Sequence, residues 1–210
     1  LKIGVPTAVQ DGCIQVAFII ITVIANYRGL NDAAAVGVVE KVISMLFLVP
    51  SSMLATVSAI SAQNIGAGKP ERAVRTLKYA TAITVAYGIA ISVVVELTAS
   101  SIIGLFTTDA TVIVLGVQYI RSYIVDAIFA GVHFCFSGFF AACGRSYIGF
   151  IHNIIAITLV RVPGSYLASK MFPHTLFPMG IAAPAGSLLS VFICLGFYAW
   201  LRRRSVLEAK

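Results

Sequence analysis

Long, unbroken apolar runs separated by short polar loops are the main pattern along this chain. Each of six runs is long enough to cross a hydrocarbon core, which needs a helix of about 20 apolar residues. The runs lack the alternation of apolar and polar positions that is typical of a transmembrane β-barrel. The pattern therefore predicts an all-α membrane protein, with residues 1–210 forming one six-helix bundle. The predicted spans are residues 3–27, 33–65, 74–97, 111–140, 148–169 and 180–201.

The composition also favours lipid over water as the solvent. Hydrophobic residues make up 59% of the chain and charged residues only 11%, against about 25% charged residues in soluble domains. The first run carries Asp11 and has no small-residue cleavage pattern, so we interpret it as a span and not as a signal peptide. His133, Cys135 and Cys143 share no helix face, so we predict no metal site.

The net charge of +7 is explained by topology and predicts no nucleic-acid partner. If the N-terminus is cytoplasmic, Arg28 and Lys170 are the only Lys or Arg residues in the outer loops. This asymmetry follows the positive-inside rule and predicts that both termini lie in the cytoplasm. We expect an integral membrane protein of a bacterial cytoplasmic membrane. The predicted inner basic residues are Lys2, Lys69, Arg72, Arg75, Lys78, Arg145, Arg202, Arg203, Arg204 and Lys210.

Two prolines lie inside predicted spans, where they act as kink or hinge candidates. Pro50 removes a backbone hydrogen bond from the second span and predicts a kink there. Neighbouring helices or hydroxyl groups can satisfy the freed carbonyl, and Ser51 and Ser52 are candidates. Pro163 in the fifth span predicts either a static bend or a flexing point of a moving bundle.

Ionisable side chains within a span are costly and usually face the bundle interior or a cavity. Asp126 and Arg161 are both predicted near mid-membrane on sequential antiparallel helices, so we expect them to pair, either structurally or in coupling and gating. His133 is either a hydrogen-bonded core residue or part of a proton relay. In the fourth span, Tyr119, Ser122, Asp126, His133 and Ser137 recur at helical spacing and predict a stripe that faces a cavity.

The candidate pathway residues extend over four of the six spans. Adjacent helix positions point about 100° apart, so neighbours such as Glu40 and Lys41 do not all face one cavity. The candidates for the substrate and ion pathway are Gln10, Asp11, Glu40, Lys41, Tyr119, Asp126, His133 and Arg161.

The loop after the second span contains the string AQNIGAGKPERA, the most informative motif in the chain. Its glycines predict the end of one helix, and Pro70 suits the first position of the next. It is not a phosphate-binding loop, because that motif needs Gly where Gln63 stands and Ser or Thr where Pro70 stands. The loop-motif residues are Gln63, Asn64, Gly66, Gly68 and Lys69.

In its position after the second of six spans, this string resembles the multidrug and toxin extrusion (MATE) family. Supporting matches are the segments 2–6 (KIGVP), 137–140 (SGFF) with 144–145 (GR), and 161–163 (RVP). The resemblance covers essentially the whole chain. It implies the C-terminal six-helix lobe of a twelve-helix transporter, whose N-terminal six-helix lobe is missing from this sequence.

The resemblance implies cation-coupled antiport, in which organic cations, drugs or other xenobiotics leave in exchange for Na⁺ or H⁺. The implied partners are membrane lipid, the small organic substrate and the second lobe, and the coupling ion takes the place of any cofactor. Many relatives place a coupling Glu eight residues past the first-span proline, where this chain has Ile14. Other relatives use an Asp in the other lobe, so the coupling ion stays open.

Three alternatives remain beside the transporter lobe. A lipid-linked oligosaccharide flippase of the same superfamily shares the helical architecture. A fragment without transport activity would show the same motifs. A membrane-embedded enzyme is disfavoured, because no HExxH, GxSxG or paired catalytic Asp motif is present.

Overall fold

The computed structural model describes residues 4–203, with side chains described at residue 9 and from residue 12 onward. All regular secondary structure in this range is helical, which confirms the all-α fold class. A π-helical turn, Ile157–Arg161, lies between the seventh and eighth helices. The helices are α1 (Gly4–Asn26), α2 (Leu30–Leu46), α3 (Leu48–Gly66), α4 (Pro70–Gly104), α5 (Ala110–Tyr123), α6 (Asp126–Ala142), α7 (Ser146–Ala156), α8 (Val162–Met171) and α9 (Phe177–Arg203).

Three of the predicted spans consist of two helices each. The pairs are α2 with α3, α5 with α6, and α7 with α8 across the π turn, and the α5–α6 pair is bent by 46°. By length and apolarity, the described residues provide four crossings, or five when the bent pair counts as one. The described apolar segment of α1, Gly12–Asn26, is shorter than the helices counted as crossings. The sixth predicted crossing, by α1, therefore stays a prediction.

Helix α4 is longer than the predicted span of residues 74–97. Its 35 residues correspond to about 50 Å at 1.5 Å per residue, well beyond a hydrocarbon core of about 30 Å. An apolar run marks only the part of a helix that meets lipid tails, and therefore the polar turns at both ends were excluded from the predicted span.

Glycine turns join α3 to α4 and α6 to α7. The AQNIGAGKPERA motif predicted the turn between α3 and α4. Gly68 and Gly144 have φ angles of +70° and +73°, a region that favours glycine because it has no Cβ. After α3, the Lys69 N–H donates to the Asn64 carbonyl at 2.9 Å, and the Gly68 N–H donates to the Ile65 carbonyl at 3.0 Å. This pair of bonds is a Schellman motif.

The break between α2 and α3 lies at Phe47, three residues before the predicted kink at Pro50. Proline has no N–H with which to bond the carbonyl four residues earlier, which is that of Leu46. The helical hydrogen-bond ladder is therefore interrupted one turn before the proline itself.

Of the two alternatives for this carbonyl, a neighbouring helix satisfies it, and the candidates Ser51 and Ser52 do not. The Ser52 hydroxyl donates to the Leu48 carbonyl at 2.7 Å. The Leu46 carbonyl instead accepts a hydrogen bond of 2.9 Å from the hydroxyl of Tyr87, on α4. A phenol on a neighbouring helix thus replaces the bond that the proline removes.

The same helix packs against the bend between α5 and α6. The Ser92 hydroxyl on α4 donates to the Gly88 carbonyl at 2.7 Å and lies 3.2 Å from the Ile124 carbonyl, which accepts from the Ala127 N–H at 2.9 Å. Between Tyr87 and Ser92, a Cβ built at Gly88 would be 2.8 Å from the Ile128 Cα and 2.9 Å from the Ala127 carbonyl oxygen. Helix α4 therefore contacts the α6 backbone directly.

At the end of the bundle predicted to face outward, Arg28 joins two loops that are distant in sequence. Its guanidinium pairs with Asp32 at 2.6 Å and donates to several backbone carbonyls at the end of α8 and in the α8–α9 loop. These carbonyls belong to Ser169, Phe172, Pro173 and Thr175, at 2.9–3.4 Å.

The buried apolar side chains form two clusters. One lies among α1, α2, the second half of α4, α5 and the start of α9, and the other lies among α3, the first half of α4, α6 and the end of α9. Along α6, Ala127 belongs to the first cluster and Cys135 to the second. Between them, Ala130, His133 and Phe134 border a cavity.

If Tyr87 replaces the hydrogen bond lost at Pro50, the two residues are energetically coupled. We expect Tyr87→Phe to lower the free energy of unfolding by about 1 kcal/mol, the usual net value of one such bond. In a Pro50→Ala background the loss becomes smaller, because the new N–H at position 50 can bond the Leu46 carbonyl. Thermal unfolding of the four variants in detergent measures this double-mutant cycle. Tyr79→Phe, on the exposed face of α4, is the control, and equal losses in both backgrounds contradict the coupling.

Gly88→Ala is expected to destabilise the protein by about 1–3 kcal/mol, the usual cost of overpacking, because the added methyl group meets backbone atoms. Gly196→Ala is the matched control, since nothing lies within 4 Å of its built Cβ. In a helix, that control should be neutral or stabilising by up to about 1 kcal/mol. Melting temperatures in detergent compare the two variants, and a neutral Gly88→Ala would show that α4 and α6 are not in close contact.

Candidate functional site

A cavity of about 330 Å³ lies among α1, α2, α3, α6, α7, α9 and the π turn. Aromatic and aliphatic side chains form part of its wall, including those of Phe18, Phe47 and Phe134. The polar and charged lining residues come from both halves of the chain. They are Gln15, Ser44, Ser51, Asp126, His133, Asn153, Arg161, Ser187 and Ser190.

All three helix interruptions border this cavity. Phe47 and Leu48 line it at the first break, Asp126 lines it where α6 begins, and Ile157 and Arg161 line it along the π turn. Irregular backbone at membrane depth is tolerated where it is buried in protein or lines a cavity, and π turns are frequent at functional sites. The irregular geometry therefore marks the cavity as the candidate functional site.

Asp126 contributes a carboxylate at the first turn of α6. The residue is 2% exposed, and the helix macrodipole favours negative charge at this position. The Ser187 hydroxyl of α9 lies next to the carboxyl group. The Oδ1 atom of Asp126 is buried and has no hydrogen-bond partner among the described residues.

Arg161 projects from the π turn between two aromatic rings. Its guanidinium carbon lies 5.1 Å from the ring centre of Phe18 and 5.3 Å from that of Tyr123, within the range of cation–π attraction. The Nε and Nη2 atoms are buried and lack an acceptor in the part of the chain that the structure describes. Glu40 adds electrostatic attraction, while its own Oε2 atom accepts a 3.0 Å hydrogen bond from Thr22.

The predicted ion pair between Asp126 and Arg161 is wrong. The two side chains line the same cavity but do not form an ion pair with each other. The ion pairs among the described residues are Arg28–Asp32 and Glu96–Arg121. Asp126 lies next to Ser187 of α9, whereas the Arg161 guanidinium lies over the rings of Phe18 and Tyr123. Equal depth in the membrane was not enough to bring them together.

Two histidines extend the site beyond Asp126. The His133 and His152 rings are 5.4 Å apart in an edge-on arrangement. His152 Nε2 lies 2.9 Å from the hydroxyl of Ser137, the last member of the predicted polar stripe. The Nδ1 atoms of both rings and the Nδ2 atom of Asn153 are buried without a hydrogen-bond partner among residues 12–203.

The remaining candidates separate into three groups. Glu40 is half-buried and Lys41 is exposed, as expected for adjacent positions on one helix. Tyr119 is 1% exposed and packs edge-on against Tyr123, outside the cavity lining. The side chains of Gln10 and Asp11 lie outside the described residues.

Other candidates lie away from the cavity or beside it. Pro163 opens α8 directly after the π turn. The loop motif forms the α3–α4 turn, and its residues do not line the central cavity. Those residues are Gln63, Asn64, Gly66, Gly68 and Lys69.

The sequence analysis missed several polar residues of the site. Ser187 and Ser190 are one helical turn apart in the last span, so the same spacing that revealed the stripe on the fourth span could have revealed them. Gln15 and Asn153 are polar residues in apolar runs and could have been identified by their cost in lipid. Tyr87 had no such signal, because its role depends on a contact with another helix.

If the cavity is open to water, a cysteine that lines it should react with a hydrophilic thiol reagent. In a variant whose four native cysteines are replaced by Ala, we expect rapid labelling of Ser44→Cys. Ile89→Cys is the control, because Ile89 is 50% exposed on α4 but belongs to an apolar surface that lipid or protein would cover. Mass spectrometry of membrane vesicles measures the two labelling rates, and equal rates would show that the cavity is not an aqueous site.

Comparison with known proteins places this cavity in a recognised fold. A family model described as MatE matches residues 6–167. The chain is 22% identical over 204 residues to "Probable multidrug resistance protein YoeA" of Bacillus subtilis (strain 168), covering 97% of this chain and 44% of that protein. It is 24% identical over 199 residues to "Multidrug and toxin extrusion protein 1" of Homo sapiens, covering 95% of this chain and 34% of that protein.

Solved structures show the same architecture. A variant of the Vibrio cholerae MATE transporter VcmN matches with a TM-score of 0.90 and 14% identity, over 99% of this chain and 47% of that chain. At this identity the likeness establishes the fold alone. The chain spans less than half the length of each of these three proteins.

Proposed function

The chain belongs to the multidrug and toxin extrusion (MATE) family, and on that premise we propose that it is the C-terminal six-span lobe of a secondary transporter. In this proposal the transporter exports organic cations, drugs or other xenobiotics across a bacterial cytoplasmic membrane in exchange for Na⁺ or H⁺. Both termini of the lobe lie in the cytoplasm, where the positive-inside rule puts them. Family membership favours transport over catalysis.

The observation that carries this proposal is the group of unpartnered polar atoms around the central cavity. Buried polar groups are almost always hydrogen-bonded, yet atoms of Asp126, His133, Asn153 and Arg161 have no partner within the described chain. Charged side chains inside a span are costly and usually functional. A guest that brings its own polar groups or charge would satisfy them.

The chemistry of the cavity suits an amphipathic organic ion. The Asp126 carboxylate attracts a cation, whether the coupling ion or the charged group of the substrate. Phenylalanine side chains at positions 18, 47 and 134 offer an apolar wall to the rest of the substrate. Pockets that bind small molecules combine these features, an apolar lining with a few well-placed polar groups.

A second six-helix lobe completes the pathway in this proposal. The cavity of about 330 Å³ is at the lower end of ligand pockets, which measure about 300–1,000 Å³. The chain covers 47% of VcmN, which agrees with one of two lobes. The size of the complete gene product, measured with a C-terminal tag, tests this point, since a two-lobe protein is about twice as long as the 210 residues.

The broken helices suit a lobe that changes shape during transport. Transporters commonly bind substrate near mid-membrane at discontinuous helices and alternate access by movement of one lobe against the other. The π turn before Pro163 and the break before Pro50 both adjoin the cavity. In this proposal they are the points at which the lobe bends.

Export of a fluorescent organic cation tests the function. The complete gene product, expressed in a bacterial host that lacks its main exporters, should accelerate ethidium efflux from preloaded cells. In inverted vesicles, imposing a Na⁺ gradient or a pH gradient separately identifies the coupling ion. Absence of cation transport under both gradients, in a protein that is inserted and folded, would contradict the proposal and direct attention to a lipid-linked flippase.

We expect Asp126→Asn to lower the rate of cation export by about tenfold or more, because a hydrogen bond to a charged group contributes about 1.5–3 kcal/mol and about 1.4 kcal/mol corresponds to tenfold. The substitution preserves the shape of the side chain but removes the charge that the cavity presents to a cation. The measurements are the ethidium export rate and its dependence on pH and Na⁺ concentration.

Glu96→Gln is the matched control, because Glu96 is half-exposed and pairs with Arg121 outside the cavity. Both variants lose one acidic charge, so a general effect of net charge would affect them equally. Unchanged export with unchanged pH and Na⁺ dependence in Asp126→Asn would remove Asp126 from the pathway.

A further inference from the structure

A second cavity, of about 790 Å³, lies at the end of the bundle where α3 turns into α4 and where α9 ends. Three of its cationic side chains come from the first turns of α4, a fourth comes from the residue just before α4, and a fifth comes from the last turn of α9. A single carboxylate, that of Glu71, is also present. The five cationic residues are Lys69, Arg72, Arg75, Lys78 and Arg202.

This cavity lies at the depth of lipid headgroups. Helix α4, at about 50 Å, extends beyond a hydrocarbon core of about 30 Å, and its first turns carry the basic residues. Tyr79 is 70% exposed and Trp200 is 40% exposed near the same ends of α4 and α9. Exposed Tyr and Trp side chains are enriched at the membrane–water interface.

The charges in this cavity are poorly neutralised by the residues that the structure describes. The ion pairs found among the described residues involve neither the five cations nor Glu71. No side chain caps the first turn of α4, so the positive end of the helix dipole adds to the field. Like charges that converge in this way repel each other, and an anionic ligand would relieve the repulsion.

We propose that this basic cavity binds the headgroup of an anionic phospholipid and prefers one with two phosphates to one with a single phosphate. Arginine side chains bind phosphate oxygens in a bidentate manner, and basic pockets between transmembrane helices on the cytoplasmic side are suited to such headgroups. Five cations against one carboxylate leave a net charge of +4 (5 − 1) for two phosphates to offset. The exposed side chains of Ile83 and Ile89 offer an apolar surface to the acyl chains along α4.

A lipid-binding site places a stricter requirement on the basic residues than the positive-inside rule does. That rule concerns the number of basic residues near the inner surface, whichever way they point. A site requires the cations that line the cavity to matter more than their neighbours do. The proposal rests on the membrane orientation given under the proposed function, but it is independent of transport activity.

Adjacent arginines at the end of α9 provide the matched comparison. Arg202 lines the cavity, whereas Arg203 does not, and both are exposed in the last turn of one helix. Arg202→Gln and Arg203→Gln therefore change the net charge equally. Because both side chains are exposed, both variants should fold.

The experiment titrates cardiolipin, a two-phosphate lipid, into the purified complete gene product and counts bound lipid by native mass spectrometry. Each basic residue near an anionic surface contributes about five-fold to affinity. We expect about five-fold weaker binding for Arg202→Gln and about 25-fold for the Arg75→Gln/Arg202→Gln variant. We expect Arg203→Gln to weaken cardiolipin binding by less than two-fold. The Arg75→Lys/Arg202→Lys variant should retain most of the affinity. Phosphatidylglycerol, with one phosphate, should bind more weakly than cardiolipin to the unsubstituted protein.

Equal losses for Arg202→Gln and Arg203→Gln would overturn the proposal, because they would show diffuse attraction to an inner surface. Displacement of cardiolipin by inorganic phosphate at equal concentration would also overturn it, since the site would then recognise free phosphate. Ethidium export is measured in parallel on the same preparations. Failure of export with intact lipid binding would count against the proposed transport function but would not affect the proposal of a lipid site.

Discussion

The structure depends on one constraint, that every backbone polar group at membrane depth needs a hydrogen-bond partner within the protein. Helices meet it automatically, but the cavity requires helices that are interrupted. At the break between α2 and α3, the Tyr87 hydroxyl of α4 supplies the bond to the Leu46 carbonyl. At the bend between α5 and α6, the Ile124 carbonyl accepts from the Ala127 N–H at 2.9 Å, within the bent pair itself. Gly88 lets α4 contact the α6 backbone next to this bend. One long regular helix thus makes the break between α2 and α3 tolerable.

The charges of the cavity are arranged to limit their cost without cancelling one another. Arg161 lies between two aromatic rings, and Asp126 lies at the positive end of α6 beside Ser187. Each charge is stabilised by dipoles or ring quadrupoles, which leave hydrogen-bonding capacity unused. A direct ion pair would have consumed that capacity. The separation of Asp126 and Arg161 is therefore compatible with a site that exchanges one polar guest for another.

Local patterns in the sequence predicted much of the fold and part of the site. Apolar runs located the helical segments, and glycine with proline located the α3–α4 turn, because these signals come from neighbours in sequence. The Asp126–Arg161 pair failed because counting residues gives height in the membrane and says nothing about the direction in which a side chain points. The hydrogen bond of Tyr87 to Leu46 joins positions 41 residues apart, and no periodicity within one span reveals such a contact.

The Arg28 contacts have a consequence for biogenesis. Arg28 is synthesised early, but the carbonyls that it binds lie 141–147 residues later in the chain. The guanidinium therefore lacks these acceptors until α8 and the segment before α9 have been synthesised. This end of the helical bundle can close only at that late stage, so its closure depends on the order in which the chain is made.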